Sequence, residues 1–527
     1  MFEESLTQNI ISQQGDFTIS GIVLYATSRL NNVINSSDSS SQASGKGKTY
    51  ILLTGATGLV GRYLLRDLVL RKERVAVIAR PSSKLSARQR VETIMQYWEK
   101  QLGKILPRPI VIEGDICEEG LGISDSDARW IADNCVEIIH NAAILKFKAV
   151  TRLEEPFRTN LDGTTEVLKF AKTHDIPDFH YVSTAYVCGK TSKTVVESQL
   201  DEGQELRNDY EQSKFEAEKL VQDAEGFRNV TIFRPAVIIG DSETGFTSTY
   251  HGLFLYLRLI AMLVPHQQRD ESGKHQTPIR LPMNGDEPRN LVPVDWVSAV
   301  IAHIVCTPNA HGRTYHLTPE ECTNARSVID SCCNYFNSAG VTYAGPDATP
   351  DTDDEFSRAI FENTRIYESY ETSDPEFDRT NVEKWAGHLP CPPIDTAMIH
   401  RFIEFGEANR WGKSRVRAPK VDYWFEDELA KIGKLAESIV GRMSAAIDAP
   451  VTIGLDIKGA GGGQWTFAEI ATGIRITRGL PAESSPILAI EGRHVAQLLD
   501  KLTEHEPESA IGLFADQFES TISLALG

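Results

Sequence analysis

At 527 residues the chain exceeds one ordinary hydrophobic core and predicts two or three domains. Its composition is globular, 41% hydrophobic and 24% charged, and a net charge of -19 excludes nucleic-acid binding as the main activity, because phosphate neutralisation needs clustered Lys and Arg. The eight cysteines are scattered, adjacent only at Cys332 and Cys333 and without a CxxC pair, which points to neither a zinc motif nor a disulfide framework and fits a reducing cytoplasm.

The N-terminal MFEESLTQNI carries acids where a secretory signal carries bases, and no long apolar core follows it. The polar tract Asn35–Lys48 predicts a flexible leader over residues 1–48. From 49 to about 320 strand-like and helical runs alternate, which predicts a parallel sheet with helices on both faces. The first strand, 50–54, runs into Thr54-Gly55-Ala56-Thr57-Gly58-Leu59-Val60-Gly61, and a helical pattern over Arg62–Leu70 follows. Three glycines in that context let the backbone turn sharply, approach a pyrophosphate closely and aim a helix N-terminus at it, so the segment predicts dinucleotide binding.

The second strand, 74–79, ends at Arg80, where an NAD site usually carries an acidic acceptor for the ribose hydroxyls. A guanidinium there suits a 2′-phosphate, and NADPH is the expected cofactor. Further strands are predicted at Ile110–Glu113, Val136–His140, Phe179–Val182 and Val230–Phe233, with helices over Gly163–His174 and Tyr210–Ala224. Asp115 ends the third strand, placed to meet adenine, and His140-Asn141-Ala142-Ala143 brings small residues to the end of the fourth. Val182-Ser183-Thr184 ends the fifth with two hydroxyls at the carboxyl edge, where ligands sit in open α/β sheets. Tyr210 and Lys214 are four residues apart on one helix face, so a cation can favour the phenolate of an acid–base tyrosine.

The apolar stretch Gly252–Val264 is broken by Arg258 and is too short to span a bilayer; it suits an acyl chain, a lipid surface or buried core. The alternation weakens between about 340 and 420, and a second, α+β domain is predicted over 421–527. Its elements are a helix at Phe425–Ile447, strands at Val451–Ile457, Gln464–Phe467, Gly473–Arg478 and Ile487–Ile490, the turn Gly459–Gly463, and helices at 492–504 and 509–525.

TGATGLVG, GDI, HNAA, STAYVCG, YEQSK and FRPAVIIG follow one another over about 190 residues, an order that resembles the extended short-chain dehydrogenase/reductase superfamily. IIHNAAILKF, EEPFRTNLDGTTEVLKFA and YVSTAYVCG resemble its thioester-reductase and fatty acyl-CoA reductase branch. The resemblance covers 49–320, with a weaker tail to about 420, and implies a Rossmann-type doubly wound sheet with a small substrate region. It implies Tyr210 as proton donor, Lys214 as ribose anchor and activator of Tyr210, and Thr184 as the hydroxyl polarising the carbonyl, with Ser183 beside it in reserve. Gly55, Thr57, Gly58, Leu59, Gly61, Arg80, Asp115, Asn141, Ala142, Asn160, Lys214 and Pro235 are the implied cofactor contacts, and no metal is implied. The implied reaction is hydride delivery from NADPH to the thioester carbonyl of an acyl-CoA or acyl-carrier-protein, with collapse to aldehyde and thiol and a second hydride giving alcohol.

With neither an adenylating nor a carrier domain in the sequence, the activated acyl group arrives from outside. GAGGGQW and the elements around it resemble the sterol-carrier-protein-2-like domain, which implies a bound acyl lipid. Two other readings stay open: a nucleotide-sugar epimerase or dehydratase, which shares the glycines and YxxxK, and a non-catalytic lipid-binding protein on a cofactor fold. The sequence does not specify an oligomeric state.

Overall fold

Every residue of Tyr50–Thr54 (β1) is buried, as a continuous apolar run requires at the centre of a sheet covered on both faces. The computed structural model describes residues 49–349, 354–370, 372–413, 417–433, 450–481, 487–504 and 523–525, with single residues 440, 444 and 485. The expected leader therefore lies outside the described residues. These residues form two compact units, one of 50–88 with 112–417 and one of 89–111 with 418–527.

In the larger unit β1 leads through the glycine turn into helix α1 (Leu59–Leu70) and strand β2 (Arg74–Ala79). After helix α2 (Ala87–Leu102) come β3 (Ile110–Glu113), α3 (Asp125–Asn134), β4 (Cys135–His140), α4 (Gly163–Thr173), β5 (Asp178–Val182), α5 (Asp209–Gln222) and β6 (Asn229–Pro235). Beyond them lie β7 (Val237–Ile239), α6 (Leu253–Leu263), β8 (Leu291–Pro293), α7 (Val294–Val305), β9 (Thr314–Leu317), α8 (Ala325–Phe336), α9 (Glu355–Thr364) and α10 (Thr396–Ala408). The seven-stranded sheet runs β9-β6-β5-β4-β1-β2-β3, and β1 pairs in parallel with both β2 and β4. This is the doubly wound order, whose reversal between β1 and β4 opens a crevice at the carboxyl edge. Thr54 stands level with His140, and Val182 with Phe233, so the ends of β1, β4, β5 and β6 reach that edge together.

Leu64, Leu65 and Leu68 of α1 are buried, and α1 packs α7, where Ser298 Oγ donates to Asp67 Oδ2 (2.6 Å). The stretch Gly252–Val264 is mostly α6: Phe254 and Leu257 are buried against Met398, Ile399, Phe402 and Ile403 of α10, while Met262 is exposed. Part of its apolarity thus serves the core.

In the smaller unit β10 (Thr452–Lys458), β11 (Gly463–Ile470), β12 (Gly473–Arg478), β13 (Ile487–Glu491) and β14 (Ser523–Ala525) are ordered β12-β11-β10-β13-β14, with β10 and β13 parallel and the other pairs antiparallel. Phe425, Ile453, Leu455, Ile457, Trp465, Phe467 and Ile490 form its core with Val495 and Leu499 of helix α11 (Gly492–Glu504). At Gly461 φ is +73°, and a Cβ there would stand 1.8 Å from Tyr423 O, so the β10–β11 turn demands glycine. Residues 89–111 join this unit through Gln96, which donates to Lys420 O (2.8 Å), and Leu106 O, which accepts from Gly459 N (3.1 Å). Buried Arg108 bridges Glu92 and Glu99 beside them.

Two sequence expectations change here. The helix expected from Phe425 begins at Leu429, because Trp424–Glu428 are spent on turns. Of the helix expected over 509–525, the described residues Ser523–Ala525 are a strand on the edge of β13; the rest lie outside the described residues.

Candidate active site

At the end of β1 the chain turns on Gly55 (φ +71°), which lies against the end of β4: a Cβ here would meet Ala142 N at 2.7 Å. A Cβ on Gly61 would meet Gly55 O at 2.0 Å, so the first turn of α1 can reach the strand only as glycine. Gly58 caps α1 with extended backbone and no side-chain bond, leaving the first N–H groups of the helix to an external acceptor. Gly58 is exposed, with Thr57 and Leu59 half-buried beside it.

Thr54 holds this cradle from beneath. Its hydroxyl accepts from both Asn141 N and Ala142 N at 3.2 Å and contacts His140 Nδ1 at 2.8 Å. Thr164 donates to Asn160 O (2.6 Å), so its hydroxyl can only accept from His140 Nε2 (3.0 Å). The ring therefore carries its proton on Nε2 and accepts from Thr54 at Nδ1. Burial, with a smaller push from Lys214, drives the His140 pKa down to about 3, so the ring stays neutral.

Arg80 ends β2 with its guanidinium half exposed, 3.4 Å from the Asp115 carboxylate at the end of β3. Partial burial would raise the Asp115 pKa, but the Cys117 N–H and Arg80 outweigh it and hold the carboxyl below its usual range. One cation and one acceptor thus stand together beyond β2 and β3.

Asn160 is buried and fully engaged: Oδ1 accepts from Ile144 N (2.8 Å), while Nδ2 donates to Ile144 O (3.1 Å) and Ser213 Oγ (2.9 Å). It ties the loop after β4 to α5. Asn141 donates to Gly55 O (3.4 Å).

The acid–base residues meet at the ends of β5 and β6. Asn208 caps α5, accepting from Glu211 N, and so sets Tyr210 in the first turn of the helix. Thr184 lies between β5 and Pro235, donating to Pro235 O (3.4 Å). Burial first and then the Glu211 charge raise the Tyr210 phenol to about 12, against a smaller lowering by its hydrogen bond with Thr184. Lys214 is buried, donating to Tyr181 OH and Val182 O, both at 2.8 Å, and burial pushes its ammonium down to about 7 against the opposing pull of Glu218. The expectation that Lys214 favours the Tyr210 phenolate is therefore corrected: the ammonium is committed to Tyr181 and β5, and the phenol is held protonated.

Ser183 is also corrected. Its hydroxyl donates to Glu218 Oε2 (2.5 Å) in a buried network in which Arg234 holds Glu218 Oε1 at 2.6 Å and reaches His316 Nε2 at 3.2 Å. That commitment leaves Thr184 as the hydroxyl beside Tyr210.

Sequence reasoning missed several residues. Phe147, 6.3 Å from the Tyr210 ring, stacks among Tyr367 and Tyr370, and Tyr370 in turn meets Tyr186. Tyr370 OH donates to Glu211 Oε1 (2.8 Å), and Tyr186 OH donates to Asp374 Oδ2 (3.1 Å). Their partners lie roughly 160 to 190 positions apart, so no local spacing signals them. Glu218, at i+4 from Lys214, and Arg234, inside FRPA, were within reach of helix and strand periodicity.

Residues 53–301, just under half of the chain, match the family model described as "Male sterility protein" (NAD_binding_4). Aldehyde reductase lnaA of Aspergillus flavus is 27% identical over 394 residues, covering 67% of this chain and 36% of that protein. Nonribosomal peptide synthetase asaC of the same organism is 29% identical over 290 residues, covering 52% of this chain and 27% of that protein. The match thus spans about a third or less of the length of these curated relatives. Among solved structures, the terminal R domain from the myxalamid PKS-NRPS biosynthetic pathway superposes with a TM-score of 0.56 at 25% identity, covering 72% of this chain and 94% of that domain. Over the span that carries the glycine cradle, Thr184, Tyr210 and Lys214, the chain is therefore similar to the Male sterility protein family and to a biosynthetic terminal R domain.

Proposed function

We propose that this chain is an NADPH-dependent reductase of acyl thioesters, carried by the convergence of Thr184, Tyr210 and Lys214 beside the Gly55–Gly61 cradle. Gly55 and Gly61 stand where a Cβ would strike backbone, so the start of α1 packs tightly on the end of β1, the arrangement that lets a pyrophosphate approach the helix N-terminus. Gly55, Thr57, Gly58, Leu59 and Gly61 would hold the pyrophosphate, Arg80 the 2′-phosphate and Asp115 the adenine, with Asn141, Ala142 and Pro235 as further cofactor contacts. When bound, NADPH supplies the hydride.

The chain's own residues handle the oxygen. Burial keeps the Tyr210 phenol protonated at neutral pH, so it has a proton to deliver to the carbonyl oxygen as charge develops there. Thr184, on giving up its long 3.4 Å bond to Pro235 O, would donate a second hydrogen bond to that oxygen. Lys214 uses two protons on Tyr181 and Val182 and directs the third at the ribose. The resulting hemithioacetal expels a thiol and leaves an aldehyde, which a second hydride and proton take to the alcohol. The names of the similar proteins, an aldehyde reductase and a terminal R domain of a PKS-NRPS pathway, support the reductase reading, and the latter favours a carrier-bound substrate over CoA.

The smaller unit is read as a sterol-carrier-protein-2-like store of acyl lipid, supported by its helix, its glycine turn and its five-stranded sheet. Lipid affinity of the full chain then climbs by about 0.8 kcal/mol per buried methylene. A flat chain-length series refutes this part alone. The eight scattered cysteines, without a CxxC pair, support a reducing, cytoplasmic location, and among the described residues no helix is long and apolar enough to cross a membrane.

The test is NADPH oxidation by the full chain against acyl-CoAs, acylated carrier proteins and UDP-sugars. Thiol release and aldehyde formation equal to the first NADPH consumed are expected. Turnover of a UDP-sugar without net NADPH loss assigns the epimerase reading instead, and silence with every substrate overturns catalysis.

A further inference from the structure

On the face of the sheet opposite the catalytic helix, β4 and β5 bring Glu137 and His180 together. Side chains alternate along a strand, and Glu137 stands level with Asp178, Ile139 with His180 and His140 with Tyr181. Glu137 and His180 thus share one face, while His140 and Tyr181 share the other, where Tyr181 meets Lys214. His180 Nε2 lies 2.9 Å from Glu137 Oε2, and His311, from the connection between α7 and β9, packs its ring at 4.6 Å from that of His180. One ligand atom from each of the three lies within 4.8 Å of the others.

Two features make this more than a buried ion pair. His311 Nε2 is 2.9 Å from Val305 O, and a carbonyl can only accept, so the ring hydrogen sits on Nε2 and Nδ1 presents a bare lone pair. That Nδ1 is buried with no hydrogen-bond partner, as is Nδ1 of His180, and His311 is 7% exposed. An imidazole whose far N–H is fixed by a backbone carbonyl while its near nitrogen faces inward is the usual arrangement of a metal-binding histidine.

We propose that Glu137, His180 and His311 form a binding site for a divalent cation of the zinc class, with a fourth position left to water. Imidazole nitrogen and carboxylate oxygen suit Zn2+, and tetrahedral donors at about 2.1 Å from the metal stand about 3.4 Å apart. The Glu137–His180 pair, at 2.9 Å, has only to open by about 0.5 Å, and His311, within 4.8 Å of it, has to close by at most about 1.4 Å. Binding takes the hydrogen from His180 Nε2, and the neutral ring carries it on Nδ1 instead. No cysteine contributes, which is why the scattered thiols carried no zinc signal. The ion would fasten β4 and β5 to the α7–β9 connection, away from Tyr210, and its role is structural.

The test uses full-length protein stripped with a chelator and then titrated with Zn2+ alone or Co2+ alone. One equivalent of Zn2+ is expected to bind and raise the melting temperature, and Co2+ is expected to give the visible bands of a tetrahedral site. His311→Gln keeps a donor for the Val305 carbonyl and removes the inward lone pair; it is expected to weaken Zn2+ at least 100-fold while the metal-free melting temperature stays close to wild type. Glu137→Gln provides the second variant should that one fail to fold. Absence of stoichiometric Zn2+ binding by the stripped wild type, or wild-type affinity in both variants, overturns the site.

Discussion

Replacing Thr54 by Val keeps the shape of the β1 terminus and removes one oxygen that serves three partners. His140 Nδ1 is wholly buried and loses its donor, while Asn141 N and Ala142 N, half-buried at the cradle, lose their acceptor. An orphaned buried group costs about 1–3 kcal/mol, and the two half-wetted amides cost less, so a loss of about 2–5 kcal/mol is expected. The same change frees the Asn141–Ala142 backbone that Gly55 leans on, so NADPH affinity falls together with stability. Urea unfolding at constant m, alongside fluorescence titration of NADPH, reads both. Thr54→Ser, which keeps the hydroxyl, should recover most of each loss. If Val and Ser are equally stable and bind NADPH equally well, the Thr54 bridge does not hold the cradle.

Arg80→Asp should weaken NADPH by about 1.5 kcal/mol, near the low end for a charge-assisted bond because the side chain is half exposed, and spare NADH; equal affinity of the unmodified protein for both cofactors removes the assignment. Tyr210→Phe should abolish turnover with NADPH binding nearly intact, whereas Lys214→Ala should damage both; more than a few per cent residual activity in Tyr210→Phe would refute the proton-donor role. His140 and His316 are buried with pKa values near 3 against an ordinary 6.5. The unfolded chain binds protons that the folded one refuses, so stability holds above pH 6.5 and falls on acidification toward pH 3, by up to about 1.4 kcal/mol per pH unit for each ring. A melt series between pH 7 and pH 4 measures it, and no change in that interval would contradict the buried neutral rings.

The parts of the site that local sequence encodes were legible. The glycine turn has a steric signature, YxxxK has a helical one, and strand ends follow from where apolar runs stop, so Gly55, Tyr210, Lys214 and Thr184 could be named before any coordinates. What those side chains do is decided by partners far away in sequence. Ser183 and Thr184 are adjacent and chemically alike, but Glu218 and Arg234 claim the first. Asn160 read as a cofactor contact because its position carries no sign of Ile144 and Ser213. Lys214 read as the activator of Tyr210 because spacing on a helix says nothing of Tyr181 beneath it. Residues 89–111 looked like part of the first domain, although their polar contacts reach Lys420 and Gly459.

The double grip of Asn160 on Ile144 and Ser213 bears on how a bulky substrate gets in. With the loop after β4 and the catalytic helix fastened to one amide, those two walls move as a single piece, and the spacing between the cradle and Tyr210 is insulated from traffic through the mouth. Of the rings around Phe147, Tyr370 belongs with the catalytic helix and widening falls to Tyr367. Tyr367 is moored by one hydrogen bond, from Gly252 N to its OH, and can let go and re-form without touching the catalytic helix, whereas Tyr370 accepts from Asn208 Nδ2 (2.7 Å) and donates to Glu211 Oε1 (2.8 Å), both at the start of α5. If the chain reduces acyl thioesters as proposed, substitutions at Tyr367 are the ones expected to change which substrates enter while leaving the start of α5 as it is.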